Sequence, residues 1–135
     1  SLLPAAIHCG NRAGGETIIL AVLVQLSTQQ ALNLWRLALT EAVRGTGPDL
    51  SARQMAILLS VYLQPPPHTV RGLAEALAIS KPAVVRALDA LEGLEFVRRR
   101  RDAEDRRNVL IQRTVKGSVY LTEFADVVAE AGRSL

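Results

Sequence analysis

Six arginines crowd into ten residues, RRRRDAEDRR at positions 98–107, around a four-residue acidic tip. Guanidinium groups this close repel one another, so a bland solvated loop gains nothing from assembling them. The chemistry they suit is polyanion binding. Arginine is a permanently charged planar fork that meets phosphate oxygens, and narrow A·T minor grooves concentrate the negative potential that draws it in. The carboxylates in the same stretch, Asp102 and Asp105, sit among cations that lower their pKa values and remove general-acid character.

Other chemistries find little support. The only histidines are His8 and His68 and the only cysteine is Cys9, so no zinc-ligand spacing and no disulfide within the chain can be drawn. No Gly-rich phosphate cradle and no nucleophile–base pair stands out, so neither an enzyme nor a cofactor or metal is expected. Cys9 has only Arg12 and His8 nearby in sequence to activate it and reads as incidental. His68 reads as a loop residue ahead of a helix cap.

The chain has 135 residues, the size of one domain, with 49% hydrophobic and 4% aromatic residues, so its core must be aliphatic and helices are favoured. The net charge of +3 permits a polyanion partner without demanding one. The longest apolar run, Ile18–Val24, falls short of the roughly 20 residues that span a bilayer. It also lacks the flanks of a signal peptide. A single cysteine fits a reducing compartment. A cytoplasmic protein with no membrane partner is expected.

The elements that must position the arginines can be read in order. Residues 1–16 read as an irregular arm, and Thr17–Leu26 as either a strand or a buried helix that packs on its own domain or in a dimer interface. Ser27 with Gln30, and Ser51 with Gln54, have the spacing of capping boxes. The first helix carries Ala31, Leu34, Trp35 and Ala38 and stops at Gly45, Gly47 and Pro48. The second presents Met55, Leu58, Leu59 and Tyr62 and stops at Pro65–Pro67. Trp35 and Tyr62 sit at core spacing, with a small-molecule pocket as their functional alternative. Thr69 caps a short helix to Leu77, and Ser80 caps another, with Pro82 in its first turn, to about Glu92. Phe96–Arg101 and Arg107–Arg113 read as a two-stranded ribbon, and Thr114 opens a last helix that Gly132 ends, with Val119, Leu121, Phe124, Val127 and Val128 as its stripe.

Residues 70–88, VRGLAEALAISKPAVVRAL, have the pattern of a helix-turn-helix. Leu73, Leu77, Ile79 and Val84 form the crossing, Ala74 the small contact and Ala78 the turn. The second helix then presents Lys81, Pro82, Ala83, Val85, Arg86 and Asp89 on or near its outer side. Such a helix fits a major groove, with Arg86 facing guanine or phosphate. Followed by an arginine-tipped hairpin, the unit reads as a winged helix-turn-helix.

Four pieces, LSARQMAILL, VRGLAEALAISKPAVVRALDALE, FVRRRRDAEDRRNVLI and RTVKG, resemble MarR-type transcriptional regulators over about Leu50–Val119. The D-x-x-D-x-R pattern of Asp102, Asp105 and Arg107 is the most diagnostic. The resemblance implies a homodimeric repressor or activator of transcription, often released by a small ligand or by oxidation. It implies that Asp105, with Asp102, braces the wing while Arg107, with Arg106 as close competitor, enters the minor groove. It places Ser80, Lys81, Pro82, Ala83 and Arg86 on the recognition helix. Two departures stand out, since Glu95 and Ala103 occupy positions where glycine and proline are usual in the family. Gly93 is expected to supply the helix stop in place of Glu95. As a third departure, the long dimer helix at the C-terminal end is expected to be short or missing.

The reading is therefore a mainly α (α+β) fold, a winged helix-turn-helix with flanking dimerisation segments. Residues 1–47 form an arm and dimerisation helix. Residues 48–113 form the DNA-binding region, with the helix-turn-helix at 69–92 and the wing at 96–113. Residues 114–135 form a dimerisation helix. The function expected is sequence-specific binding of double-stranded DNA at a pseudo-palindromic operator by a ligand-responsive bacterial repressor. Thr69, Ser80, Lys81, Pro82, Ala83, Arg86, Arg100, Arg101, Arg106 and Arg107 are its candidate contacts. The alternatives are a winged-helix module that binds protein, which would show apolar residues at the wing tip, and a redox-sensing regulator using Cys9.

Overall fold

The computed structural model describes residues 25–135. The arm at 1–16 with His8 and Cys9, and residues 17–24 of the apolar stretch, lie outside the described residues; Gln25 and Leu26 are exposed and belong to no helix or strand. The elements run α1 (Thr28–Arg44), α2 (Ala52–Leu63), α3 (Val70–Leu77), α4 (Lys81–Gly93), β1 (Val97–Arg101), β2 (Val109–Arg113) and α5 (Val115–Arg133).

Each helix starts where a short polar side chain can take an orphan backbone N–H. Ser27 and Ser51 form reciprocal capping boxes with Gln30 and Gln54. Thr69, Ser80 and Thr114 accept from the N–H groups of Gly72, Ala83 and Gly117. α5 runs one residue beyond the expected stop at Gly132.

The core gathers Ile57, Leu58 and Val61 of α2, Leu73 and Ala74 of α3, Val84, Ala87, Leu88 and Leu91 of α4, and Phe96, Val97 and Ile111 of the hairpin. The buried face of α2 is thus turned from the one expected, and Met55, Leu59 and Tyr62 are only half-buried. The α4 stripe repeats every three or four residues, the period of a helix that buries one side.

The strands β1 and β2 pair antiparallel with Val97 opposite Arg113, Arg99 opposite Ile111 and Arg101 opposite Val109. A bridge between Thr69 and Leu110 and a hydrogen bond of 2.9 Å from Ile111 N to His68 O stitch β2 to the start of α3. α1 packs along α5, and in these two helices only Ala38 and Ala131 are fully buried besides Gly117, which lies against Tyr62 and Phe96.

The ends of α3 and α4 close alike. After α3, Ile79 N bonds to Ala74 O and Ala78 N to Glu75 O; after α4, Phe96 N bonds to Leu91 O and Glu95 N to Glu92 O. Both are Schellman closures, which need a left-handed residue. Ala78 (φ 54°) and Glu95 (φ 65°) supply it. Gly93, expected to provide the stop, is the last residue of the helix, and the left-handed position falls two residues later on Glu95.

Candidate nucleic-acid interface

The capping of α3 and α4 and the β2 stitch bring the beginning of α3, the beginning of α4 and the loop end of β2 to one place. They enclose a crevice of about 160 Å³ lined by Thr69, Val70, Arg71, Lys81, Arg107, Asn108 and Val109. Three cations from three elements surround it. Two helix N-termini contribute partial positive charge at the same surface. Arg71 is the residue that sequence reasoning missed. Its position directly after the cap Thr69 and the first helical residue could have marked it.

Along α4, Lys81, Pro82, Val85, Arg86 and Asp89 are exposed. Ala83, expected among the outward-facing residues, is buried at 5% exposure. It lies one turn before Ala87 and next to Val84, so the stripe that seats α4 on the core carries it inward. Ser80 is exposed, and its hydroxyl is occupied as the cap. The cap Thr69 is half-buried.

The wing loop is held by its own acidic residues. Asp102 Oδ1 accepts from Glu104 N at 2.9 Å, and Asp102 N donates to Asn108 O at 3.0 Å. Asp105 Oδ1 accepts from the backbone and the Nε of Arg107, each at 3.1 Å, and Asp105 O accepts from Asn108 N at 2.9 Å. These bonds from Arg107, its side chain first, hold the Asp105 carboxyl below the usual carboxylate range, and the nearby charge of Arg71 acts in the same direction. Arg107 is nevertheless 91% exposed along its side chain. Arg101 donates to the Arg106 carbonyl. Arg100 and Arg106 are exposed, and among the described residues neither forms an ion pair.

Arg99 behaves differently. Strand alternation turns it inward with Val97, where its Nη2 meets Asp89 Oδ1 and Glu92 Oε1, both at 2.7 Å.

Trp35 and Tyr62, the candidates for core packing or a pocket, part company. Trp35 is 56% exposed. The Tyr62 hydroxyl accepts from Thr114 N at 2.9 Å and lies 2.8 and 2.9 Å from the carbonyls of Phe96 and Thr114, joining α2 to the wing root and to α5. Neither lines the cleft of about 450 Å³ between α1 and α5, which is bounded by Leu37, Glu41, Asp126, Val127, Glu130 and Ala131 among others.

A helix-turn-helix whose second helix is exposed at its N-terminal turn, followed by a basic two-stranded hairpin, is a winged helix-turn-helix. The chain belongs to the MarR family, whose model matches residues 50–109. The solved transcriptional regulator PA3341 is 30% identical to it, covering 78% of this chain and 76% of its own, with a TM-score of 0.58. CouR, a transcriptional repressor solved on a 23-mer DNA duplex, is 28% identical over 78% of this chain and 72% of its own, with a TM-score of 0.63. A point mutant of S. aureus MepR bound to an oligodeoxyribonucleotide shares the fold at 23% identity, over 78% and 75% of the two chains, with a TM-score of 0.70.

Proposed function

We propose that the chain is a transcriptional regulator that binds double-stranded DNA sequence-specifically as a homodimer and represses until a small effector releases it. The observation that carries the reading is the crevice where Arg71, Lys81 and Arg107 converge from α3, α4 and the wing. It has the charge, and with its helix N-termini the donors, that a backbone phosphate requires. In this reading Lys81, Pro82 and Arg86 enter a major groove, while Arg106 or Arg107 enters the flanking minor groove. Arg100 and Arg101 follow the backbone. Asp102 and Asp105 hold the loop that aims the tip, and Ser80 and Thr69 act through their caps. DNA-bound CouR supports the partner class, and the lack of any apolar residue larger than Ala103 at the wing tip argues against a protein-binding wing.

Residues 48–113 would form the reading unit, and residues 1–47 and 114–135 the dimerisation segments, in a cytoplasmic bacterial protein. Two recognition helices would then sit about 34 Å apart on a pseudo-palindrome. The test is a binding titration on the DNA upstream of the protein's own gene across salt concentrations. Affinity should fall with a log–log slope of about −0.9 per neutralised phosphate. Arg86→Ala should cost about 1–3 kcal/mol if it reads a base, and Arg107→Ala should weaken binding most at A·T flanks. A flat salt response, or unchanged affinity in both variants, overturns the reading.

A further inference from the structure

One cation in the wing is withheld from the DNA face. Arg99 is the third residue of β1, and its side chain is only 25% exposed in an otherwise well-exposed run of arginines. Its guanidinium spans two carboxylates of α4 one turn apart, Nε to Glu92 Oε1 at 2.8 Å and Nη2 to Asp89 Oδ1 at 2.7 Å. The second oxygen of Glu92 accepts from the backbone N of Arg99 at 3.2 Å. Glu92 therefore grips both the side chain and the main chain of the strand. This fastening stands on the far side of a left-handed Glu95, the residue that sets where the wing leaves the helix.

We propose that Arg99 is a positioning residue that locks the wing to the recognition helix, so that the major-groove and minor-groove readers approach DNA as one rigid body. The proposal rests on the DNA-binding reading above. A forked donor bridging two acids on a helix face fixes both the distance and the rotation between strand and helix, which a single-point lysine contact does not. With the lock in place, the wing tip reaches the minor groove without first paying the ordering cost of a loose hairpin.

The experiment uses the full chain and a duplex enriched from a randomised pool by the wild-type protein, with its flanks reset to A·T or to G·C. Wild type should prefer the A·T-flanked duplex. Arg99→Met should lose about tenfold on that duplex, within the worth of one good base contact, and should bind the G·C-flanked duplex as wild type does. Arg99→Lys, which keeps the charge and loses the fork, should show the same collapse of flank preference. It serves if the methionine variant does not fold. Ile57→Val, which loosens the core elsewhere, should keep the preference, so lost stability alone does not mimic the effect. The salt slope should stay that of wild type.

If Arg99→Lys keeps the flank preference, or if the slope falls by about 0.9 in Arg99→Met as it would for a lost phosphate contact, the lock is wrong while the DNA-binding reading stands. A wild type that enriches no duplex overturns both.

Discussion

The reading unit and the α1–α5 layer are built from similar aliphatic sequence and end in opposite states. From α2 to β2 the apolar stripes close on one another, and seven large side chains there are essentially solvent-free, among them Ile57, Leu58, Val84 and Leu88. In α1, Leu32, Trp35, Leu39 and Val43 repeat at helical spacing and remain largely exposed. A finished core and an open apolar face in one chain divide the labour. The first is a closed apolar core, whereas the second is the kind of surface that monomers rarely leave uncovered. This is why the homodimer belongs to the proposal: the α1 face offers an aromatic anchor, Trp35, of the sort that centres interfaces.

The largest effect is expected at the joint between the two regions. A Cβ at Gly117 would overlap the Tyr62 hydroxyl and the Phe96 carbonyl oxygen. Gly117→Ala should therefore lower unfolding stability by about 2–3 kcal/mol in urea titrations. A smaller loss would show that the joint yields. Next, Trp35→Ala should weaken self-association by about 2 kcal/mol in analytical ultracentrifugation, and leave the helical circular dichroism signal unchanged. If the dimer persists at wild-type affinity, the open face of α1 is not its interface.

The third prediction tests the acid clamp inside the reading unit. Side-chain and then backbone hydrogen bonds from Arg99 hold the Glu92 carboxyl below its ordinary value of 4.5. The folded state thus binds that proton more weakly than the unfolded chain. The stabilisation is complete above the ordinary carboxylate range and is lost as the pH falls through the lowered value. The stability gap between wild type and Glu92→Gln, followed by chemical denaturation, should be constant above about pH 5.5 and should close in more acid solution. The smallest effect is expected at Glu95. Its left-handed backbone disfavours a side chain, so Glu95→Gly should raise stability by about 0.5–1 kcal/mol, after the entropy glycine loses on folding. A loss instead would mean that the Lys116 ion pair at 3.1 Å outweighs the backbone strain.

Local rules were enough to read much of the fold. Helix starts depend on a cap and the three residues after it, so Ser27, Ser51, Thr69, Ser80 and Thr114 were all legible. The hairpin and the helix-turn-helix order were legible too, because turn chemistry and periodicity are local. Three features were not. Glu95 takes its backbone conformation from the demand that Phe96 and Leu91 both be buried, a tertiary condition that overrides the preference for Gly93. Ala83 was read outward because a single alanine on a helix carries little phase information. Arg99 looked like one of six equivalent arginines, since only the folded hairpin brings Asp89 and Glu92 beneath it. Trp35 shows the limit of periodicity, which marks an apolar face and does not say which chain covers it.

The Thr69–Leu110 bridge has a consequence for solubility. It covers one edge of the hairpin, and among the described residues the other edge, β1, has no strand beside it. An uncovered edge invites a second copy to add its own strand and begin a stack. β1 reads VRRRR, so two copies meeting edge to edge would bring rows of like charge together. The arginines that arm the wing would thus repel a second copy of the same edge.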